Sequence, residues 1–212
     1  MISVVGSLKG GSGKSTVTFN LAIWLARANV NVEVIDLDPQ ATLRDVAEVR
    51  AEEGYKPRVR VRNRKALDDP SLAEAEEVLI DIGTADLSMM KKAITRADRI
   101  IVPVPPSQAD IWSTQRFILF VGSLCPEERP DIIGFINRGD THHAIRETDE
   151  AAQALRELPG IEFIPPRLSQ RTIFRRSFSE GMALFELSAG NKGTQEFDSL
   201  FAHLYPAMAL AN

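Results

Sequence analysis

Lys9-Gly10-Gly11-Ser12-Gly13-Lys14-Ser15-Thr16 lies between a short apolar run, Ile2 to Gly6, and a helical pattern that begins at Lys14. Glycines let the backbone turn so that successive N–H groups face phosphate oxygens, and the positive end of the following helix adds to the attraction. In loops of this type the lysine that opens the helix reaches the β- and γ-phosphates, and the next hydroxyl ligates Mg²⁺. The segment therefore predicts a nucleoside triphosphate site at a strand-to-helix junction.

The loop departs at one position from the common pattern, in which two glycines are separated by four residues and followed by lysine. Leu8 stands where the first glycine would be, and Lys9 follows it. The alternative to a phosphate site is a glycine-rich turn that binds nothing. The strand, loop, lysine and helix are all in register, so we favour the phosphate site. Its predicted nucleotide-binding residues are Gly10, Gly11, Ser12, Gly13, Lys14, Ser15 and Thr16, with Lys14 also catalytic and Ser15 also a metal ligand.

Short β-type runs alternate with longer helical patterns along the chain, which is typical of parallel βαβ units. Several runs, such as Val78 to Ile80, are apolar at every position, as in strands that helices cover on both faces. We therefore predict an α/β fold with a doubly wound, mostly parallel sheet and helices on both faces, formed by residues 1–212 as a single domain. The predicted strands are Ile2 to Gly6, Val32 to Asp36, Arg58 to Arg62, Val78 to Ile82, Arg99 to Val104, Ile132 to Asn137 and Ile161 to Ile164.

The composition excludes several classes of protein. Of the 212 residues 44% are hydrophobic and 25% are charged, which excludes disordered, collagen-like and linker chains. A single cysteine, Cys125, excludes an internal disulfide and metal sites built from several thiolates of one chain. No secretory leader and no apolar run of ~20 residues is recognisable, so we expect a cytoplasmic protein. His142 and His143 lie in a polar stretch, where we expect a solvated pair.

With its extra lysine the loop resembles the deviant Walker A motif, K-G-G-x-G-K-[ST]-[ST], of the ParA/MinD group of P-loop ATPases. The resemblance implies the P-loop NTPase fold, ATP and Mg²⁺ as cofactors, and a homodimer that sandwiches ATP. It also implies that Lys9 reaches across the dimer to the partner's phosphates, as an arginine finger does. A solvated loop lysine is the alternative for Lys9. So few residues precede it that we expect no helix-turn-helix domain of the kind the longer partition ATPases carry.

Three aspartates lie at or just beyond the ends of predicted strands: Asp36, Asp38 and Asp81. Carboxylates beside a phosphate loop suit Mg²⁺ and an activated water. The resemblance implies that Asp38 positions or activates the attacking water, that Asp36 helps organise the Mg²⁺ shell, and that Asp81, as the Walker B aspartate, holds Mg²⁺ through water. The alternative, that Asp36 and Asp38 only cap the following helix, fits Asp38 better than Asp36.

Downstream, Phe135-Ile136-Asn137-Arg138 resembles the strand end whose Asn or Arg lies near adenine in this family. Asn137 is therefore a predicted nucleotide contact. An ordinary strand terminus is the alternative.

The net charge of −4 hides two clusters of basic residues. The segment from Arg167 to Arg176 resembles the part of ParA-like proteins that binds DNA without sequence preference. We expect Arg171, Arg175 and Arg176 to contact DNA, with Arg171 and Arg175 on one helix face, and a solvated basic face is the alternative.

The second cluster contains Arg58, Arg60 and Arg62, which alternate with valines. A strand would place these arginines on one face. We favour an edge strand protected by charge over a second DNA contact.

MinD-like members of the group bind membranes through a C-terminal amphipathic helix. Phe197, Leu200, Phe201 and Leu204 form an apolar stripe here, but acidic residues accompany it. We therefore expect this helix to pack on the sheet, and no membrane partner.

The leading hypothesis is a ParA-type ATPase that dimerises on ATP, binds nonspecific DNA on the nucleoid of a bacterium, and positions or partitions a plasmid, chromosome region or other cargo. A ParB-like or adaptor protein would stimulate its ATP hydrolysis. The alternatives are a MinD-like membrane-associated positioning ATPase and an ATP-dependent metabolic enzyme of the same P-loop branch, in which Lys9 would act on a substrate.

Overall fold

A computed structural model describes residues 1–141 and 146–209 of the chain, and these residues contain one seven-stranded sheet. The strands are β1 Ile2–Val5, β2 Val32–Asp36, β3 Val61–Asn63, β4 Glu77–Asp81, β5 Arg99–Val104, β6 Asp131–Gly139 and β7 Glu162–Ser169. Their order in the sheet is β3-β2-β4-β1-β5-β6-β7, and every neighbouring pair is parallel. The predicted doubly wound α/β fold is therefore confirmed. His142 and His143 lie outside the described residues.

Helices cover both faces of this sheet. They are α1 Lys14–Arg27, α2 Thr42–Glu52, α3 Leu87–Ile94, α4 Gln108–Leu124, α5 Glu147–Glu157, α6 Thr172–Glu180, α7 Leu184–Ser188, α8 Lys192–Leu204 and α9 Pro206–Ala209, with 3₁₀ turns at Arg64–Asp68 and Pro70–Glu74. The side chains of α3, α4 and α5 form one apolar core, and those of α1, α2, α7 and α8 form the other. Strand β4 serves both, since Val78 and Ile80 enter the first core and Leu79 enters the second. None of the helices in the described residues is long and apolar enough to span a membrane.

Strand β1 lies at the point where the order of the sheet changes direction. The chain leaves β1 toward β2 and β3 on one side, and later reaches β5, β6 and β7 on the other. Val5, the last residue of β1, pairs with Asp81 of β4, which in turn pairs with Asp36 of β2. Ligands of doubly wound sheets bind in the crevice at such a point, beyond the carboxyl ends of the strands. The register thus brings the loop after β1 to the level of two aspartates.

The predicted strand at residues 58–62 is misplaced, although an edge strand does form nearby. Only residues 61–63 pair with β2, while Val59 is buried in the core and both Arg58 and Arg60 are exposed before the strand begins. Arg62 donates to the Asp69 carboxylate and lies 3.5 Å from Glu33. The three arginines therefore do not form one face of a strand, because Arg62 alone belongs to it.

The C-terminal helix α8 packs as the sequence predicts. Phe197, Leu200, Phe201 and Leu204 are all buried, and the helix lies against β7. Trp24 of α1 completes the contact, with its ring centroid 5.2 Å from that of Phe197. The apolar stripe is consequently part of the core of the subunit.

One buried cation ties α2 to the connection between α6 and α7. Arg50 is 1% exposed and donates through Nη1 and Nη2 to the Glu186 carboxylate at 2.7 and 2.8 Å. It also donates to the carbonyls of Gly181 and Pro57, each at 2.9 Å. Each side-chain nitrogen of Arg50 thus has an acceptor, so the segment after α6 is fixed against α2.

We expect Arg50→Ala to lower the free energy of unfolding by about 3–5 kcal/mol, because it leaves the Glu186 carboxylate without its buried partner. The matched control is Arg176→Ala, which removes an exposed arginine paired with Glu180 on one helix and should cost less than about 0.5 kcal/mol. Urea denaturation of both variants measures the difference. Equal stabilities would contradict this account of Arg50.

Candidate nucleotide-binding site

A cavity of 360 Å³ lies at the carboxyl ends of the central strands. The loop between β1 and α1 forms its floor, and the end of β7 with helix α6 forms the opposite wall. Residues from six parts of the chain contribute to its lining, among them Gly10, Gly11, Gly13, Lys14, Ser15, Thr16, Asp38, Thr84, Asn137, Arg138, Phe174, Arg175, Phe178 and Phe197. All the residues predicted to bind nucleotide line this cavity except Ser12, which is buried behind it.

The loop keeps its shape through glycine conformations and through two side chains from β6. Gly13 has φ +90° at the N-cap of α1, and a Cβ there would collide with the Asn137 amide. That amide donates to the Ser12 carbonyl at 2.6 Å, and the Arg138 guanidinium donates to the Gly11 carbonyl. Both β6 residues therefore hold the loop backbone from behind. The sequence predicted a nucleotide contact for Asn137, and the structure adds this supporting contact.

Lys14 occupies the interior of the loop. Its Nζ donates to the Lys9 carbonyl at 3.2 Å and to Ser7 Oγ at 3.4 Å, and only 8% of the residue is exposed. Burial lowers the pKa of Lys14, while the charges of Asp81 and Asp38 oppose that shift. A cation held only by neutral oxygens gains strongly from a phosphate that takes their place, because the surroundings are poor in water.

Ser15 and Asp81 lie together beside Lys14. Ser15 Oγ donates to Asp81 Oδ2 at 2.6 Å, while Oδ1 is buried and has no hydrogen-bond partner among the described residues. Burial raises the pKa of Asp81 to about 7, and the nearby charge of Asp36 adds to the shift. A hydroxyl beside an unsatisfied carboxylate oxygen fits Mg²⁺, which binds through one or two protein groups together with phosphates and waters. No larger cluster of ligand-type side chains occurs in the described ranges.

Asp36 and Asp38 have different surroundings. The Asp36 carboxylate accepts the N–H groups of Asp38 at 2.9 Å and Arg44 at 3.3 Å, and burial raises its pKa. The N-cap residue of α2 is Ala41, which has no side-chain oxygen, so Asp36 caps this helix from the end of β2. Asp38 lines the cavity and accepts the Gln40 N–H at 2.9 Å. The capping role therefore falls to Asp36, contrary to the preference for Asp38 in the sequence analysis.

Lys9 points away from the interior of its own loop. Its Nζ lies 2.9 Å from Oδ1 of Asp110 in the first turn of α4, and 47% of its side chain is exposed. The two lysines of the motif thus differ, because Lys14 is buried inside the loop and Lys9 lies outside it.

The predicted DNA contacts are separated by the structure. The prediction that Arg171 and Arg175 share a helix face is wrong, because α6 begins at Thr172 and Arg171 precedes it in an extended conformation. Arg171 Nε and Nη2 donate to Glu196 Oε1 at 3.0 and 2.7 Å, and most of this pair is buried. Arg171 therefore joins β7 to α8, and its charge is paired with Glu196 in this structure.

The other two arginines of this cluster lie on the surface of α6. Arg176 donates to Glu180 at 3.0 Å in an exposed pair. Arg175 is exposed at the wall of the cavity and forms no ion pair within residues 1–141 and 146–209.

Several site residues escaped the sequence analysis. Phe174 and Phe178 line the cavity from α6, but their spacing also suits an ordinary core stripe. The sequence analysis named Arg138 beside Asn137, but no local pattern predicts its φ of +60° or its contact with the loop. The Ser107 and Asp110 pair carries a detectable signal, since a serine followed by an acid three residues later is typical of a helix start. Its contact with Lys9 depends on how the strands are ordered in the sheet, and the local sequence does not show that order.

We expect Asp81→Asn to stabilise the nucleotide-free protein at pH 8 by about 2–4 kcal/mol, because the native state then no longer buries a carboxylate with one unsatisfied oxygen. A raised native pKa means that the folded protein binds more protons than the unfolded chain between about pH 4 and 7. The stability contributed by Asp81 therefore falls as the pH rises through this window.

Urea denaturation at pH 5 and pH 8 measures the effect, which should be far smaller at pH 5 than at pH 8. Asp149→Asn, at an exposed carboxylate on α5, is the control and should shift neither curve appreciably. A variant no more stable than the parent at pH 8 would remove the burial penalty assigned to Asp81.

Comparison with known proteins agrees with this geometry. Maintenance of carboxysome distribution protein A of Halothiobacillus neapolitanus is 24% identical over 209 residues, which cover 96% of this chain and 95% of that protein. Protein ParA of Rhizobium radiobacter is 26% identical over 208 residues, covering 89% and 86%. Among solved structures, an aspartate-to-alanine variant of Cyanothece McdA with ATP has a TM-score of 0.78 at 17% identity, covering 99% of this chain and 96% of that one.

The profile of the CobQ/CobB/MinD/ParA nucleotide binding domain matches residues 3–185, which is most of the chain. The match spans the loop, the three aspartates and most of the helices around the cavity. The chain therefore belongs to the CobQ/CobB/MinD/ParA family, and it is an ATPase of the ParA/MinD type.

Proposed function

We propose that this protein is a positioning ATPase that forms an ATP-sandwiched homodimer, binds nonspecific DNA in that state, and releases the DNA when a partner protein stimulates hydrolysis. Residues 1–212 act as one ATPase domain in this proposal. ATP binding and hydrolysis would then switch a surface that only the dimer presents.

The observation that carries this proposal is that the two lysines of the loop lie in different places, Lys14 inside the loop and Lys9 outside it. Lys14 lies inside the loop, where its Nζ donates to the Lys9 carbonyl and the Ser7 hydroxyl. Lys9 has its Nζ outside the loop and half of its side chain in solvent. A long cation in that place is suited to phosphates held by a second copy, much as an arginine finger acts in trans. An ordinary P-loop needs only the lysine that opens the helix, which is Lys14 here.

Within one subunit the chemistry is assigned to residues around the cavity. Lys14 and the loop N–H groups bind the phosphates, and Ser15 with Asp81 would hold Mg²⁺. When bound, Mg²⁺ neutralises charge on the β- and γ-phosphates. Asp38, whose carboxylate lines the cavity, orients the attacking water. Asp36 supports this arrangement by fixing the start of α2 relative to Asp38.

The cargo is proposed from the relatives. One relative that spans nearly the whole chain is named for carboxysome distribution, and another is a ParA protein. We propose that this chain likewise positions a large cargo, either a protein compartment or a plasmid or chromosome region. A ParB-like or adaptor protein would couple that cargo to ATP hydrolysis.

We expect Asp38→Ala to retain ATP-dependent dimerisation and to lose ATP turnover by about 100-fold or more, because the attacking water loses its orienting carboxylate. Phosphate release measures turnover, and light scattering after size-exclusion chromatography measures dimerisation. The control is Asp45→Ala, which removes an exposed aspartate on α2 and should leave both properties unchanged. An unaltered hydrolysis rate would take the water-orienting role away from Asp38.

The DNA contact is proposed at Arg175 and Arg176, two adjacent exposed residues of α6. The apolar residues Ile173, Phe174 and Phe178 of this helix pack against the core, which leaves the two arginines on the outer side. The exposed pair between Arg176 and Glu180 is weak in water, so a phosphate can replace the carboxylate. Because α6 also lines the nucleotide cavity, ATP and DNA would act on the same helix.

We expect the double variant Arg175→Ala/Arg176→Ala to weaken ATP-dependent binding to a random-sequence duplex. The slope of log K against log salt concentration should fall by the amount expected for the loss of about two phosphate contacts. Fluorescence anisotropy with ATP, ADP or no nucleotide across a salt series measures this. The matched control is Arg58→Ala/Arg60→Ala, which removes two exposed arginines before β3.

The result of that comparison shows which surface of the protein binds DNA. Loss of DNA binding only in the Arg58 and Arg60 variant would move the DNA site to the edge of the sheet. ATP-dependent binding of the parent to anionic vesicles instead of DNA would favour a MinD-like role. If neither DNA nor vesicles bind, the metabolic-enzyme alternative gains and the proposed function fails.

A further inference from the structure

A buried carboxylate holds Lys9 in the isolated subunit. Lys9 Nζ lies 2.9 Å from Asp110 Oδ1, and only 8% of the Asp110 side chain is exposed. The other carboxylate oxygen accepts the hydroxyl of Ser107, whose Oγ in turn accepts the Asp110 N–H at 3.2 Å. Asp110 is therefore fixed by its own helix cap, and it is the carboxylate that lies within ion-pair distance of Lys9 in the described part of the chain.

The position of Asp110 strengthens its attraction for the ammonium. The carboxylate lies in the first turn of α4, where the helix dipole favours negative charge, and Ile111 and Phe117 anchor that helix in the core. Lys9, by contrast, is on a surface loop and has a long, rotatable side chain. The acceptor is thus rigid and the donor is mobile. An exposed lysine loses rotamer freedom in such a contact, which limits the strength of the pair.

This geometry conflicts with the role proposed for Lys9. An ammonium that is bound to Asp110 of its own subunit cannot at the same time bind a phosphate in a second copy. The fraction of subunits with Lys9 released then limits the apparent affinity of dimerisation, because only released subunits are competent.

We propose that Asp110 is a positioning residue that holds Lys9 in the nucleotide-free monomer and must release it before the ATP dimer forms. This inference rests on the proposed function, since the target of the released lysine is the nucleotide of a second copy. The contact sets the ATP concentration at which the dimer forms.

The decisive variant is Asp110→Asn, which removes the charge while its side-chain oxygen can still accept the Ser107 hydroxyl. We expect the ATP concentration for half-maximal dimerisation to fall about 3- to 10-fold, because Lys9 is released in a larger fraction of subunits. The control is Ser107→Ala, which disturbs the same helix start and keeps the carboxylate. If Ser107→Ala lowers that concentration as much as Asp110→Asn does, the helix start sets it and the proposal fails.

A second measurement tests the contact in the absence of dimerisation. In the nucleotide-free monomer, pulse labelling with an amine-reactive reagent followed by mass spectrometry reports the reactivity of Lys9. We expect Asp110→Asn to raise the labelling rate of Lys9 several-fold, because its ammonium no longer contacts a carboxylate, and to leave that of Lys92, which pairs with Asp68, unchanged. An unchanged rate at Lys9 overturns the proposal even if the dimer forms.

The two proposals can fail separately. A parent protein that never dimerises with ATP refutes the sandwich dimer, whatever Lys9 labelling shows. A parent that dimerises while Asp110→Asn behaves identically in both measurements refutes the role of Asp110 alone. In the Lys9→Ala background, Asp110→Asn should have no further effect on any residual dimerisation, because the contact is already absent.

Discussion

The burial of opposite charges at the carboxyl ends of β1 and β4 is the constraint on which the rest of the structure depends. Lys14 and Asp81 are both withdrawn from water, and each has weaker partners than a buried charge requires. Buried charges destabilise a protein unless a ligand supplies the missing opposite charge or hydrogen bonds. Burial lowers the pKa of Lys14 and raises that of Asp81, so in both residues it disfavours the charged form. A site held in this state gains on binding a phosphate and a divalent cation.

The surrounding fold keeps the charges in place. The parallel register sets the ends of β1, β2 and β4 side by side, which brings Asp36 and Asp81 level with the loop. From the other half of the sheet, Asn137 and Arg138 bind the carbonyls of the loop. The loop is therefore shaped by both halves of the doubly wound sheet before any nucleotide is bound. Preorganisation of this kind lowers the reorganisation required when charge develops during phosphoryl transfer.

Two helices connect this centre to the surface of the subunit. Helix α4 begins beside the loop and carries Asp110, so it meets the lysine that faces outward. Helix α6 forms the far wall of the cavity and carries Arg175, and Arg50 with Glu186 fixes its end against α2. Asp36 caps the start of α2, and Arg50 near the end of α2 holds the end of α6. Helix α2 therefore links the aspartates after β2 to the helix that bears the exposed arginines. Nucleotide and macromolecular partners would thus meet on shared elements.

The sequence by itself determined the fold class, the phosphate loop and the packing of the C-terminal stripe, because these depend on local periodicity and on glycines at fixed spacing. It misplaced the edge strand, because only residues 61–63 pair with β2, whereas Val59 lies before the strand and is buried in the core. It did not predict the ion pair between Arg171 and Glu196, because these residues are 25 positions apart and only the packing of α8 on β7 brings them together. The capping role of Asp36 and the contact between Lys9 and Asp110 were likewise decided by tertiary structure. Periodicity records which residues are buried, whereas the partner of a charge depends on which distant elements become neighbours.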